Sequence, residues 1–273
     1  MRKSLKYSAY PMQENKNYGK SSKFMESETE LWYKMIVDAQ DMSYSRLNQM
    51  LDECGGDCQI ENCLGQRFIG AGRSKGHISI SGIPGNALGA YLNGAFIEVQ
   101  GNAQDAVGDT MNAGTIAVHG NIGDAVGYAM RGGEIFVHGN AGYRAGVHMK
   151  SYKDKLPVMV IGGSAGSFLG EYQAGGLIIV LGINGESEKI VSNFPCTGMH
   201  GGKVFLRSDC KNIVFPKQVS CHIAEASEVE EIRPHIEKFC SLFGGDAEEL
   251  LSSSFTVVTP DSRNPYKQMY VAN

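Results

Sequence analysis

The sequence has no net positive charge and no long apolar segment. The first absence argues against a nucleic-acid-binding protein, and the second argues against a membrane protein. The 273 residues carry a net charge of −4 and a single Trp. A basic surface interleaved with aromatics, the usual mark of nucleic-acid binding, is therefore absent. No apolar run approaches the roughly 20 residues that a membrane helix requires. We expect neither nucleic acid nor a membrane as a partner.

The cysteines are few and form neither a disulfide framework nor a zinc pattern. There are 7, an odd number, and no apolar signal segment precedes them, which favours reduced thiols and a cytoplasmic location. Cys54, Cys58 and Cys63 lack the C-x-x-C spacing of a zinc knuckle. Neither an N-terminal acyl-transfer cysteine nor a four-cysteine iron–sulfur run is present. We expect no metal, cofactor or glutaminase chemistry in this chain.

Nucleotide-binding loops are also missing, although glycine is abundant. No G-x-x-x-x-G-K-[ST] occurs, and Gly70-Ala71-Gly72 has the wrong continuation for a dinucleotide fingerprint. The 35 glycines exceed the usual share of about 7%, and nearly all lie between Gly55 and Gly202 among apolar residues. Glycine at this density inside an apolar segment indicates many special backbone angles within a packed structure.

The glycines follow an internal repeat of nineteen residues. Three consecutive units align without a gap, namely GIPGNALGAYLNGAFIEVQ, GNAQDAVGDTMNAGTIAVH and GNIGDAVGYAMRGGEIFVH, which together span residues 82–138. The register extends backward to Cys63. Forward, it continues with five extra residues near YKDKL, then with none, then with seven extra residues before Arg207. The chain therefore contains about seven units.

Glycine recurs at two positions of the unit. A residue without a side chain that recurs at two fixed corners predicts backbone angles or clearances that a Cβ would forbid. We expect these glycine ladders to be structural, and we assign no catalytic, cofactor-binding or metal-binding residue. The first position holds Gly82, Gly101, Gly120, Gly139, Gly163 and Gly182, and the eighth holds Gly70, Gly89, Gly108, Gly127, Gly146 and Gly170.

The end of each unit predicts a short β-strand. Its sixteenth and eighteenth positions are apolar, as in Ile97/Val99 and Ile116/Val118, so one face of the strand points inward. A further apolar column, which contains Met111 and Met130, indicates core packing. Such units bury their apolar faces only by stacking, and the units contain no glycine-free segment of helical length. The sequence predicts a parallel β-helix rather than a leucine-rich repeat.

The flanking segments predict covers for the open ends of this β-helix. Residues 1–28 form a polar, lysine-rich arm, and residues 29–62 form a small α/β cap with one strand and one helix. The β-helix occupies residues 63–207. Residues 208–273 contain the helix SEVEEIRPHIEKFCSLFGG, which we expect to cover the other end, and the tail FTVVTPDSRNPY, which we expect to lie back along the rod.

Ser164 is a candidate nucleophile. It lies in Gly162-Gly163-Ser164-Ala165-Gly166, a G-x-S-x-G that follows an apolar strand and matches the nucleophile elbow of α/β-hydrolases. An elbow must lead into a helix, whereas here Gly170 interrupts the continuation and strand periodicity resumes. The repeat accounts for the glycines, so we favour a turn between stacked strands and keep a serine hydrolase as an alternative.

Polar residues also recur in columns of the repeat. His119 and His138 share the nineteenth position and predict a ladder of two neutral imidazoles on the surface, with a metal pair or proton relay as the alternative. Asp105 and Asp124 stack as like charges, which is tolerable only at a solvated edge. An amide ladder is expected from Asn102, Asn121 and Asn140.

With these motifs together, the chain resembles the GXGXG domain at the C-terminus of the glutamate synthase large subunit. The motifs LGQRFIGAG, GIPGNALGAYLNG, GGSAGSFLGEYQAGG, CTGMHGGKVFLR and SRNPY carry the resemblance, which runs from about Leu31 to Tyr266. It is most similar to the stand-alone, archaeal-type form of the domain. The resemblance implies a right-handed parallel β-helix, so the expected fold class is all-β dominated with a small α/β cap and a C-terminal helix.

The resemblance also implies a function without a catalytic residue in this chain. In glutamate synthase a cysteine amidotransferase releases ammonia, and a barrel with FMN and an iron–sulfur cluster reduces iminoglutarate. The implied role is a structural subunit that holds amidotransferase and FMN-binding subunits together in the cytoplasm, with a homo-oligomer also possible. The same β-helix occurs in one of the subunits of formylmethanofuran dehydrogenase and in N-methylglutamate synthase-type enzymes, so a scaffold in such an oxidoreductase stays open. The inserts at 151–155 and 183–191 are expected to touch partners.

Overall fold

A computed structural model describes residues 35–183, 185 and 189–261. The predicted lysine-rich arm and the closing SRNPY lie outside these residues. One sheet of eleven strands dominates the fold, and its first nine strands pair in parallel and in chain order. The strands are β1 Met35–Asp38, β2 Cys58–Leu64, β3 His77–Ile83, β4 Asn93–Val99, β5 Ala113–Val118, β6 Glu134–Val137, β7 Val158–Ile161, β8 Ala174–Val180, β9 Gly201–Leu206, β10 Val219–Ile223 and β11 Thr256–Pro260.

The strand register reproduces the nineteen-residue repeat and both insertions. Ile97 pairs with Ile116, and Ile116 pairs with Ile135. The next partner of Ile135 is Met159, five residues later than the repeat alone would give, and the pairing then continues without a shift. The predicted parallel β-solenoid is confirmed. The inward column of fully buried side chains is Ile78, Ile97, Ile116, Ile135, Met159, Ile178 and Val204.

A second wall closes the interior. It consists of single parallel bridges between successive turns, in which Ala103 pairs with Ile122 and Ile122 with Ala141. These side chains are buried and meet the isoleucine column in one continuous core. The column that contains Met111 and Met130 is fully buried in the same core. The second wall thus carries mostly alanine, whereas the strand wall carries large aliphatic residues, and together they fill a narrow interior.

The N-terminal end is covered by β1 and by α1, Tyr44–Cys54. The helix begins after Ser43, whose hydroxyl accepts the N–H of Arg46, and ends at Gly55 in the left-handed conformation. Its buried side chains, Leu47 and Leu51, extend the solenoid core. Strand β2 falls mostly in the predicted cap but pairs in parallel with β3, so the solenoid has one more rung than the repeat predicts.

At the C-terminal end, the helix and the tail do not lie where the sequence predicts. The segment expected to lie along the rod forms β11, which pairs antiparallel with β9 and closes the stack, and β10 pairs antiparallel with β11. The helix expected at the end, α2 at Ala226–Phe243, instead packs on the flank of the sheet. A short helix, α3 at Ala247–Leu251, follows and packs beside it.

The outer face of the sheet explains where α2 packs. Its residues change along the stack from polar Glu98 to buried Phe136 and Val160. The buried face of α2, which includes Ile232, Ile236 and Phe239, covers the apolar part. Strands β6 to β9 are therefore buried on both faces, which their nearly continuous apolar sequences indicate.

Candidate interaction surface

One corner of the solenoid is formed by the eighth column of glycines. All six have φ between +63° and +71°, the left-handed region that favours glycine. There is also no room for a side chain at this corner, because a Cβ at Gly146 would lie 2.4 Å from Cδ1 of Ile178. The six residues are Gly70, Gly89, Gly108, Gly127, Gly146 and Gly170.

Two glycines of the first column have a different physical cause. Gly120 and Gly139 do not have left-handed angles, but a Cβ would lie 2.3 Å from Oδ1 of Asn102 at the first and 2.4 Å from Oδ1 of Asn121 at the second. Glycine at these two positions therefore leaves room for an asparagine of the preceding turn. The backbone N–H of Gly163 continues the column by donating to the carbonyl of Gly139 at 2.9 Å.

The asparagines form a ladder, and its top rung is Ser164. Oδ1 of Asn102 accepts the backbone N–H of Asn121 at 2.8 Å, and Oδ1 of Asn121 accepts the N–H of Asn140 at 2.7 Å. Asn140 in turn accepts both the backbone N–H and the hydroxyl of Ser164. Each side chain thereby satisfies a backbone donor that the turn leaves without an intra-turn partner.

This position gives Ser164 the surroundings of a structural residue. Its hydroxyl donates to an amide oxygen, which cannot act as a general base. The chain after it turns through Phe168 and enters β8, so the helix of a nucleophile elbow is not formed there. The histidines downstream have other partners, since His200 contacts the carbonyl of Gly198 and His222 pairs with Glu228.

The stacked aspartates lie at an exposed edge. Oδ1 of Asp105 accepts the backbone N–H of Asp124 at 2.9 Å, and Oδ1 of Asp124 accepts the N–H of Tyr143 at 2.7 Å. Both carboxylates are exposed. Hydration and one backbone hydrogen bond for each carboxylate therefore offset the repulsion between the two like charges.

His119 and His138 do not form the surface ladder that the repeat predicts, because α2 covers them. The ring of His119 meets Phe243 edge-on at 4.9 Å, and its Nε2 lies 2.9 Å from Oε1 of Glu98. His138 contacts Phe243 at 5.4 Å and stacks on Phe239 at 6.3 Å. Both imidazoles therefore pack against the C-terminal half of α2.

A charged cluster also attaches α2 to the sheet. Oε1 of Glu134, on β6, lies 3.1 Å from Nδ1 of His235, and its Oε2 accepts a hydrogen bond from Lys238. Lys238 also donates to the hydroxyl of Thr115 at 3.1 Å. The hydrogen bond with His235 and the neighbouring Lys238 hold the pKa of Glu134 below its usual value, despite partial burial.

A set of rings, which we call the aromatic face, lines one corner of the solenoid, and all of them except the half-buried Phe168 are exposed. It consists of two columns. In the first, His148 stacks on Tyr172 at 5.2 Å with the ring planes 10° apart. In the second, Phe168 lies 5.2 Å from both Tyr143 and Phe194. The six residues of the aromatic face are Tyr128, Tyr143, His148, Phe168, Tyr172 and Phe194.

An ion pair connects the two columns of the aromatic face. Nε of Arg144 lies 2.8 Å from Oε2 of Glu171, whose side chain is only 10% exposed. The guanidinium of Arg144 also lies 5.0 Å from the ring centre of Tyr143 and 5.7 Å from that of Phe168. This cation–π contact and the ion pair hold the exposed rings in one arrangement.

Aromatic side chains at this corner adopt a backbone conformation that costs them free energy. His148, Phe168, Tyr172 and Phe194 have φ between +53° and +63°, where a bulky residue is an outlier costing on the order of 1 kcal/mol. The conformation turns the backbone N–H toward the next rung, so that Phe168 donates to the carbonyl of Asn193 at 2.9 Å.

Alanine fills the same positions in an earlier turn. Ala125 and Ala129 have φ of +55° and +50°, and they occupy the unit positions that Phe168 and Tyr172 occupy later. The fold therefore requires the backbone angle but not the ring. The sequence carries part of this signal, because His148 shares a unit position with Tyr172, and Phe168 shares one with Phe194, once the inserts are removed. The sequence does not show that the rings are exposed.

The first insert is also exposed. Tyr152 and Lys155 close a small loop by pairing antiparallel, and Tyr152 is 47% exposed under the ammonium group of Lys153. Beside it lies a groove of about 560 Å³. Its walls are glycine backbone together with Lys150 and Lys203. The second insert lies partly outside the described residues.

Three features of the described residues concern a metal ion, a membrane and a nucleotide. Across 35–183, 185 and 189–261, no group of three or more His, Cys, Asp or Glu side chains is placed to hold a metal ion. None of the helices in this part of the chain is long and apolar enough to cross a membrane. Gly70, Ala71 and Gly72 lie in a solenoid turn rather than between a strand and a helix.

Comparison with known proteins agrees with this architecture. Residues 56–261 match the GXGXG motif family. An uncharacterized protein of Methanocaldococcus jannaschii is 42% identical over 253 residues, which cover 87% of this chain and 96% of that protein. A chain in the crystal structure of the formyltransferase/hydrolase complex of Methylorubrum extorquens, bound to methylofuran, superposes with a TM-score of 0.59 at 19% identity. That superposition covers 85% of this chain and 93% of the other.

Proposed function

The chain belongs to the GXGXG motif family, and we propose that it is a non-catalytic scaffold subunit of a glutamate synthase-like complex. In this role it holds an amidotransferase subunit and a subunit with FMN and an iron–sulfur cluster close to each other. It supplies neither the nucleophile nor a cofactor. The complex works in the cytoplasm, in glutamine-dependent formation of glutamate.

The aromatic face is the observation that carries the proposal. Phe194 is 62% exposed, and Tyr143 and Tyr172 are each more than a third exposed. Tyrosine, phenylalanine and arginine are enriched at the centres of protein interfaces. Since alanine satisfies the fold at the same corner in an earlier turn, the rings and Arg144 are best explained by contact with another protein.

The ion pair within the face supports a preorganised contact. Arg144 is already bound to Glu171 and stacked on rings, so little side-chain freedom is lost when a partner covers it. The exposed insert at 151–155 extends the same role to a second contact. We propose that the amidotransferase or the flavin subunit buries the aromatic face and that the inserts determine which partner binds where.

A second candidate is a scaffold for a different enzyme of the same general design. The structural neighbour is part of a formyltransferase/hydrolase complex, and a related amidotransferase or an N-methylglutamate synthase-type oxidoreductase would use the same solenoid. The chemistry of the complex distinguishes these candidates. In a glutamate synthase the ammonia released from glutamine forms the iminoglutarate that is reduced, so added glutamine should drive oxidation of the reductant, whereas a complex of another kind should not couple the two.

Gentle purification from native cells tests the proposal. The tagged chain is expected to retain two partners, one with FMN and iron–sulfur absorbance and one with glutaminase activity. A double Tyr172→Ser and Phe194→Ser variant should lose at least one partner while unfolding at the same temperature. Ile36→Ser is the matched control, because Ile36 is 61% exposed and lies in β1, at the N-terminal end of the sheet. Recovery of the wild-type chain as a lone monomer would contradict a scaffold role.

A further inference from the structure

Two cysteines meet where helix α1 joins the first rung of the solenoid. Cys54 is the last residue of α1, and Cys58 is the first residue of β2. Their Sγ atoms are 2.8 Å apart. A disulfide bond is about 2.05 Å long, so the two sulfurs need to approach by only about 0.8 Å to bond.

The loop between the cysteines holds the two sulfurs opposite each other. Gly55 ends α1 in the left-handed conformation and is followed by Gly56. Arg73 clamps the loop, since its two terminal nitrogens donate to the carbonyls of Leu51 and Gly56 at 2.8 Å each. Asp57 then accepts the backbone N–H of His77 at 2.7 Å. The loop backbone is thus fixed to α1 on one side and to β3 on the other.

The two thiols differ in their access to solvent. Cys54 is half-buried, whereas Cys58 is only 1% exposed. Burial raises the pKa of the Cys58 thiol to about 12, with a further contribution from Cys54 and an opposing one from the charge of Arg73. A dissolved oxidant therefore reaches Cys54 first, and Cys58 is placed to resolve the product.

Cys63 is not part of this pair. Burial raises the pKa of its thiol to about 11. Its Sγ contacts Oε1 of Gln66 at 3.4 Å, and the amide nitrogen of Gln66 is bound in turn to the carbonyl of Ala39 at 2.9 Å. The thiol of Cys63 thus belongs to a separate buried contact.

We propose that Cys54 and Cys58 form a reversible disulfide in response to hydroperoxide and that this bond fastens α1 to the solenoid. The sulfur of Cys54 attacks one peroxide oxygen, the O–O bond breaks, and a sulfenic acid and one water form. The sulfur of Cys58 then bonds to the sulfenic sulfur and displaces hydroxide, which takes the Cys58 proton and leaves as a second water. The sulfurs together lose two electrons, and hydrogen peroxide is reduced.

The bond has a structural consequence at the end of the solenoid. Leu47 and Leu51 of α1 cover the first rung and are fully buried. In the reduced protein the three-residue loop 55–57 and non-covalent contacts hold this lid in place. In the oxidised protein its C-terminal residue is also bonded directly to β2, so fraying at the C-terminal end of α1, next to Leu51, is restricted.

Intact mass and peptide mapping test this proposal on the full chain. Protein purified under reducing conditions is treated with hydrogen peroxide, and unreacted thiols are then alkylated. We expect a loss of about 2 Da per molecule, located in a peptide that contains both Cys54 and Cys58 and restored by dithiothreitol. Tm should rise by about 5 °C on oxidation.

Two variants separate this pair from general oxidation. Cys54→Ala should abolish the linked peptide and the rise in Tm, whereas Cys240→Ala, at another half-buried thiol, should keep both. Peroxide treatment that leaves Cys58 open to alkylation, or that over-oxidises Cys54 without a link, would overturn the proposal. A link from Cys58 to Cys63 would overturn it as well. The wild-type peptide map decides the matter even if a variant fails to fold.

Discussion

Asn140 binds Ser164 twice through a single oxygen, which accepts the backbone N–H at 2.7 Å and the hydroxyl at 3.1 Å. The serine hydroxyl is thereby a donor within the asparagine ladder. We expect Ser164→Ala to leave ester hydrolysis at the same level as the wild type, and to lower the free energy of unfolding by about 1 kcal/mol through the lost hydrogen bond. An ester assay and urea unfolding measure the two effects. A clear serine-dependent rate would restore the hydrolase alternative.

Replacing a left-handed glycine of the solenoid by alanine should lower the free energy of unfolding by an amount that depends on the space around the added methyl group. Gly146→Ala places a methyl group 2.4 Å from Ile178 at a φ of +71°, so both strain and crowding contribute, and we expect a loss of about 3 kcal/mol. The matched control is Gly72→Ala, because its φ is +69° but nothing lies within 4 Å of the added methyl. This variant should lose only about 1 kcal/mol, which is the cost of the backbone angle. Equal losses in denaturant unfolding would show that crowding is unimportant.

The attachment of α2 should depend on pH through Glu134. Its pKa is lower in the folded protein because of His235 and Lys238. Its contribution is therefore fully present above the unfolded pKa of about 4.3 and is lost as the pH falls through the lower folded value. Unfolding midpoints between pH 3 and pH 7 should fall more steeply for the wild type than for Glu134→Gln. Parallel curves would count against this role.

Phe239 should control the attachment of α2 without controlling the solenoid. Its ring is 1% exposed and lies 5.0 Å from Phe243. Phe239→Ala removes about 3–4 kcal/mol of packing, so we expect faster amide hydrogen exchange throughout α2 and little change in the inner strands. Glu237→Ala, at an exposed position of the same helix, is the control. Faster exchange in β5 and β6 as well would show that helix and solenoid unfold together.

The interior of the solenoid could be predicted from the sequence because it depends on local periodicity. The alternation of Ile116 and Val118 determines which face points inward, and the return of that alternation at Met159 locates the insertion. These signals lie within a few residues of each other, and stacking similar units leaves few alternatives.

The position of α2 and the aromatic face could not be predicted in the same way. An amphipathic helix must bury its apolar face, but its own sequence does not determine against which surface. A weak signal was present in Val158–Ile161, where all four residues are buried and no polar side chain alternates. The contact between the rings of Phe168 and Phe194 joins residues from separate turns across an insertion, and the exposure of these rings depends on what packs nearby.

The rings at this corner are equally spaced along the axis of the solenoid. Phe168 lies 5.2 Å from the ring before it and from the ring after it, close to the rise of about 4.8 Å between neighbouring strands. The rings of Tyr143, Phe168 and Phe194 are thus placed about one strand spacing apart along the axis. Since the extra residues at 151–155 do not disturb the pairing of Ile135 with Met159, a loop can lengthen in one turn without changing the scale. The outline of the solenoid can vary while the spacing between its turns stays fixed.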